Sequence, residues 1–94
     1  GEIDKSMQSA EIIKTDWQKC SAYKEIALEL ANQGKFSECR IVLNKSIHTA
    51  ESIRTDWQKS SAYKEIAIVL LIQGNTIESD IILNCVSLII NGKL

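Results

Sequence analysis

Apolar side chains recur at three- and four-residue steps along most of the chain, which is typical of α-helices with one buried face. After Thr15, one such face is formed by Tyr23, Ile26, Ala27 and Leu30. Thr15 and Gln18 form a T-x-x-Q capping box, which predicts the start of this helix. Gly34 predicts its end, because glycine adopts the left-handed cap easily. No segment alternates with a period of two, so we expect no strand.

A second apolar face follows, and we expect its helix from about Ser37 to about Arg54. This face is formed by Cys39, Val42, Leu43, Ser46, Ile47 and Ala50. The two-helix pattern then returns from Thr55, and Gly74 repeats the stop after its first helix. The last helix is expected over 77–90, before the end signal Asn91–Gly92. The segment 3–14 matches the end of a second helix, so five helices are predicted.

The chain repeats itself with a period of 40 residues. The segments 15–27 and 55–67 read TDWQKCSAYKEIA and TDWQKSSAYKEIA, and 22 of the 40 pairs aligned between 10–49 and 50–89 are identical. A repeated unit of this size cannot bury its apolar face alone, so neighbouring units must cover each other. We therefore predict a single domain over 1–94, with a half repeat at 2–14, repeat one at 15–54 and repeat two at 55–92.

The first helix of each unit resembles that of the tetratricopeptide repeat family. The residues that carry the resemblance are Tyr23, Ile26, Ala27 and Leu30, and again Tyr63, Ile66, Ala67 and Leu70. The turn glycines Gly34 and Gly74 match as well, and so do the small residues Cys39 and Ser79 that follow. The resemblance implies an all-α, right-handed α-solenoid of antiparallel helical hairpins. The period of 40 exceeds the family's roughly 34, and no proline closes the second helix, so a HEAT-like array is the alternative.

The resemblance also implies a concave surface that binds partner proteins or peptides. Its residues would be Ser21, Lys24, Leu28, Ala31 and Asn32 in repeat one, and Ser61, Lys64, Ile68, Leu71 and Ile72 in repeat two. The lysines in register could bind an acidic peptide or a terminal carboxylate. However, Leu28 and Ile68 stand where carboxylate-binding members of the family use asparagine, so a solvated lysine face is the simpler expectation. Trp17 and Trp57 are either binding anchors or wedges between units, and their identical placement favours wedges.

At seven of the aligned positions a polar residue of repeat one becomes apolar in repeat two. The apolar members of these pairs are Val69, Ile72, Ile77, Cys85, Val86, Leu88 and Ile89. A terminal helix of a repeat array should have a polar outer face, so a further repeat, a second copy or another protein must cover this one. For the chain as given we predict a homodimer. The self-association residues are predicted to be Val69, Ile72, Ile77, Val86, Ile89 and Ile90.

Charge argues for a protein partner. The chain has 11 basic and 12 acidic residues and a net charge of −1, whereas a nucleic-acid binder usually carries a basic surface. A nucleic-acid-binding helical repeat stays as the alternative function, since Lys19, Lys24, Lys59 and Lys64 could contact phosphates. No apolar stretch of about 18 residues predicts a membrane span.

The sequence contains few candidate catalytic, disulfide-forming or metal-binding residues. Three cysteines without C-x-x-C spacing predict neither a disulfide framework nor a zinc site, and they indicate a reducing compartment, which we take to be the cytoplasm. His48 has no catalytic neighbours in the sequence, and Glu25 and Glu65 are expected to be solvated helix charges. We therefore predict no metal, no cofactor and no enzyme, and instead a protein-binding scaffold. A small helical enzyme is the third possibility.

Overall fold

The computed structural model describes residues 2–92, and within this range the chain forms five α-helices and no strand. The helices are α1 (Glu2–Glu11), α2 (Asp16–Asn32), α3 (Phe36–Glu51), α4 (Asp56–Ile72) and α5 (Thr76–Ile90). The predicted helical class and number of helices are confirmed. The main difference is that α1 and α3 each end about three residues before the predicted boundary.

Glycine ends α2 and α4 in the same way. Gly34 has φ 76° and Gly74 has φ 82°, in the left-handed region that glycine enters without a steric penalty. The N–H of Lys35 then donates to the carbonyl of Leu30 at 2.9 Å, and the equivalent bond in the second unit has the same length. These bonds satisfy carbonyls at the helix end, and they confirm the predicted positions of both stops.

The helix starts only partly follow the prediction. Thr15 and Thr55 are the N-cap residues of α2 and α4, but neither side chain makes a capping hydrogen bond, so the predicted capping box is wrong in this respect. At the start of α5, Asn75 does cap: its Oδ1 accepts from the N–H of Glu78 at 3.2 Å. Its Nδ2 also donates to Oε1 of Glu78 at 3.0 Å. This cap fixes the start of the last helix.

The core lies around α2 and α4, which pack against each other. α3 packs on α2 and also contacts α4, α5 packs on α4, and α1 packs on α2. The predicted faces of the first helices are buried, and they comprise Tyr23, Ile26, Ala27, Leu30, Tyr63, Ile66, Ala67 and Leu70. Burying each large side chain of this kind stabilises the fold by about 1.5–3 kcal/mol. The repeated residues therefore form the central layer of the domain.

A thiol and a hydroxyl group join α2 to α3. Ser46 Oγ donates to the carbonyl of Cys20 at 2.9 Å, and Cys20 Sγ lies 3.3 Å from Ser46 Oγ. Burial raises the pKa of the Cys20 thiol, although the hydrogen bond to Ser46 acts in the opposite direction. In the second unit Ser60 and Val86 occupy these two positions, and Ser60 Oγ is buried without a hydrogen-bond partner. The hydrogen bonds that join the two helices of the first hairpin therefore have no equivalent in the second hairpin.

Two serine substitutions should change stability in opposite directions. Ser60→Ala should raise the free energy of unfolding by about 1 kcal/mol, because it removes a buried hydroxyl that has no partner. Ser46→Ala should lower it by about 1 kcal/mol, because the hydrogen bonds to Cys20 are lost. Urea unfolding followed by helical circular dichroism measures both values. Changes of the same sign would contradict the assigned bonding.

Candidate interaction surface

Two side-chain contacts join the first helices of the two units. Lys24 Nζ on α2 lies 3.4 Å from Glu65 Oε2 on α4, and the lysine side chain is only 15% exposed. Near the helix starts, Trp17 and Trp57 meet edge to face with ring centroids 6.0 Å apart. The tryptophans therefore meet at the junction between the units, where a wedge was expected. Trp57 nevertheless remains 65% exposed, so it is also part of the surface.

The residues predicted to form a concave surface lie in different surroundings in the two units. In repeat one, Lys24 is in the ion pair, Leu28 packs against the core and Ala31 is buried. In repeat two, Lys64 and Ile68 are exposed, and so is Leu71, the counterpart of Ala31. Of the remaining predicted residues, Ser21 and Ser61 are half-buried, and Asn32 and Ile72 are exposed.

The second helices show the same contrast. Leu43 on α3 has no exposed surface, whereas its counterpart Leu83 on α5 is 41% exposed. Ala50 is likewise completely buried, and its counterpart Ile90 is 65% exposed. Since α4 packs against both α2 and α3, it covers this side of the first unit. Nothing in residues 2–92 covers the equivalent side of the second unit, which we name the open face: Lys64, Ile68, Leu71, Leu83 and Ile90.

A groove runs beside the open face, where the start of α4 approaches the end of α5. It has a volume of about 460 Å³, and it is lined by Asp56, Trp57, Ser60, Ser61, Lys64, Ile89 and Ile90. Lys64 has no ion-pair partner within the described part of the chain, whereas its counterpart Lys24 has one. The groove thus combines an aromatic ring, aliphatic side chains and the ammonium group of Lys64, with one carboxylate, Asp56, at the start of α4. Such a combination suits a protein partner that is apolar with an acidic side chain.

The residues predicted for self-association divide between the core and the surface. Val69, Val86 and Ile89 are buried within the chain itself, so they are not available to a second subunit. The exposed members are Ile72, Ile77 and Ile90, but Ile90 belongs to the open face whereas Ile77 lies on another side of α5, so they do not form one interface. Because α5 is apolar almost all round, its sequence could not indicate which face points inward.

The exposed side of α5 that faces away from the open face is also apolar. We name this surface the outer row: Ile77, Ile81 and Leu88. At the equivalent positions α3 has Ser37, Ile41 and His48, which are exposed too. Sequence reasoning missed Ile81 because the same residue stands in both copies.

Other candidate chemistry finds little support in the described residues. Two of the lysines considered for phosphate contacts are engaged, since Lys24 pairs with Glu65 and Lys59 Nζ donates to the carbonyl of Glu51 at 3.3 Å. His48 lies 3.7 Å from Glu51 on the exposed surface of α3. No group of metal-ligating side chains comes together anywhere in 2–92. Between α1 and α2 lies a wider groove of about 860 Å³, lined by charges of both signs.

Comparison with known protein families, with curated proteins and with solved structures gives no match. The tetratricopeptide resemblance therefore stays a prediction from the sequence. Among the five described helices, none combines the length and the apolar character needed to cross a membrane.

Truncating equivalent leucines should reveal the difference between the two units. Leu43→Ala should lower the free energy of unfolding by about 3 kcal/mol, because it leaves a cavity in a fully buried site. Leu83→Ala should lower it by less than about 1 kcal/mol, because this side chain is partly solvated. Urea unfolding of the two variants and the unmodified chain gives both values. Equal losses would show that Leu83 is covered in solution.

Proposed function

We propose that this chain is a non-catalytic helical repeat scaffold that binds another protein through the open face of its second unit. The observation that carries the proposal is the contrast between Leu43 and Leu83, which are the same residue with and without a covering helix. A contiguous apolar surface on a small domain typically marks a binding site. The exposed Trp57 beside it adds a side chain that is common in protein interfaces.

The proposed architecture is a tetratricopeptide-like, right-handed α-solenoid of antiparallel hairpins, with units at 15–54 and 55–92 after the half repeat at 2–14. Three features support it: the period of 40 residues, the matching glycine turns, and the packing of α4 against α2 and α3. In such arrays each unit contacts only its neighbours, so a unit with no following neighbour among the described residues has one uncovered side.

The nature of the open face favours protein over nucleic acid. Four of its five residues are aliphatic, and Lys64 is its only cation. With a net charge of −1, the chain does not attract phosphates over long distances. The buried thiols of Cys20 and Cys39 are compatible with a reducing compartment, and we propose the cytoplasm.

Selection from a library of displayed helical peptides tests the scaffold function. We expect the chain to enrich helices that bind it, and we expect Leu71→Glu to abolish their binding, because a carboxylate on the open face would be desolvated. Ile41→Glu is the matched control, since Ile41 is exposed on α3 outside the open face. Failure to enrich any helix, or equal loss of binding in both variants, would contradict the proposal.

The outer row of α5 supports self-association as a second property of the scaffold. The equivalent residues of α3 stay exposed although α4 and α5 pack beside the first unit. A further unit stacked on the second one would therefore leave the outer row of α5 exposed as well. A two-fold dimer could pair two such rows and bury Ile77 and Ile81 between subunits. Association through this surface would leave the open face accessible.

Sedimentation velocity tests the dimer. We expect the unmodified chain to sediment as a dimer at tens of micromolar and the variant Ile81→Lys to sediment as a monomer, because charged residues across a two-fold axis repel and resist desolvation. Ile41→Lys places the same charge at the equivalent position of α3 and should leave the dimer intact. A monomeric unmodified chain would refute self-association.

A further inference from the structure

We propose that the partner of the open face is a single amphipathic α-helix with a defined contact pattern. Counted from a tryptophan, the helix has an alanine at position +5, a glutamate at position +8 and an aliphatic residue at position +12. The inference rests on the proposed function, because it specifies what the open face binds. The pattern is that of α4 itself, read from Trp57 through Ala62 and Glu65 to Val69.

The first unit provides the template. Its side equivalent to the open face is covered by α4, which contributes a buried alanine and a buried valine, Ala62 and Val69. The counterparts of these residues on α2 are the half-buried Ala22 and the exposed Glu29, on a side of α2 that is covered by no first helix within residues 2–92. The side of α4 that faces α2 therefore carries small and aliphatic residues with one glutamate between them.

Charge complementarity specifies the acidic residue. Glu65 pairs with Lys24 across the α2–α4 contact at 3.4 Å. Lys64 occupies the position of Lys24 in the second unit and has no carboxylate partner within residues 2–92. A helix seated on the open face as α4 is seated on the first unit would place its glutamate against Lys64. Such a pair fixes orientation and register more than it adds affinity.

The aromatic position follows from the same comparison. Trp57 meets Trp17 edge to face, and it also lines the groove together with Ile90. A tryptophan near the start of the docked helix would meet Trp57 as Trp57 meets Trp17. Aromatic pairs prefer this edge-to-face arrangement, so the groove favours an aromatic residue there.

A second copy of the chain does not satisfy this pattern. Its α2 carries Glu29 at the position of Val69, so a carboxylate would be pressed against Ile68 and Leu71. Arg40 pairs with Glu78 across the two units. In repeat two Asp80 stands at the position of Arg40, and the counterpart of Glu78 in a second copy is its Glu38. The equivalent contact would therefore bring two carboxylates together, and they repel each other. The matching side of α4 in a second copy is already buried against its own α2. The observations therefore favour a separate helix with the α4 pattern over a second copy of this chain.

A charge-swap experiment tests the proposal. The probe is a fluorescent peptide of residues 55–73 in which Ile68→Gln, Leu71→Gln and Ile72→Gln remove the apolar side that would bind further copies. Fluorescence anisotropy should show that it binds the intact chain. Lys64→Glu in the chain should weaken binding about fivefold or more, because an attraction becomes a repulsion. Lys45→Glu, on the exposed surface of α3, is the control and should leave binding unchanged.

The decisive measurement is the recovery of binding. A peptide that also carries Glu65→Lys should bind the Lys64→Glu chain better than the unmodified chain, and this recovery would also show that the variant is folded. Absence of binding to the unmodified chain overturns the inference, while the helix selection described above tests the scaffold function independently. An affinity that changes neither with Lys64→Glu in the chain nor with Glu65→Lys in the peptide overturns the proposed ion pair with Lys64. A chain dimer that Leu71→Glu dissociates and the peptide displaces shows that a second copy is the occupant, and also overturns the inference.

Discussion

The packing of one first helix on the next is the constraint on which the rest of the structure depends. A first helix such as α2 contacts its own second helix on one side, and on the other side it needs a neighbouring unit. Within residues 2–92 one such contact between first helices exists, where α4 packs on α2 and also covers α3. The burial of Leu43 and Ala50, the ion pair of Lys24 and the contact between the tryptophans all follow from that one contact.

Helical periodicity was sufficient to predict the elements. Apolar residues at three- and four-residue steps predict the five helices, and the buried faces of α2 and α4 are the predicted ones. The glycine stops were predictable because few other residues adopt a positive φ. The threonine caps were not, since a Thr side chain at the N-cap can remain in solvent, as Thr15 and Thr55 do. The Asn75 cap follows the same spacing rule and was overlooked.

The candidate surface was only partly predictable, because its residues are often identical to buried ones. Leu43 and Leu83 have the same side chain and the same place in the repeat, and only the presence of α4 distinguishes them. Composition drew attention to the apolar last helix but could not separate its inward face, with Val86 and Ile89, from its exposed residues Ile77 and Ile81. Periodicity shows a face only where polar residues mark the other side.

The Lys24–Glu65 contact joins a residue of one unit to a residue 41 positions later, one more than the repeat length. Each unit therefore carries a lysine and a glutamate side by side, Lys24 and Glu25 in the first unit and Lys64 and Glu65 in the second. The lysine can pair with the unit that follows, and the glutamate can pair with the unit that precedes. Two units turned end for end would oppose lysine to lysine or glutamate to glutamate. The adjacent lysine and glutamate thus give the contact between two units a direction, because only one relative orientation brings opposite charges together.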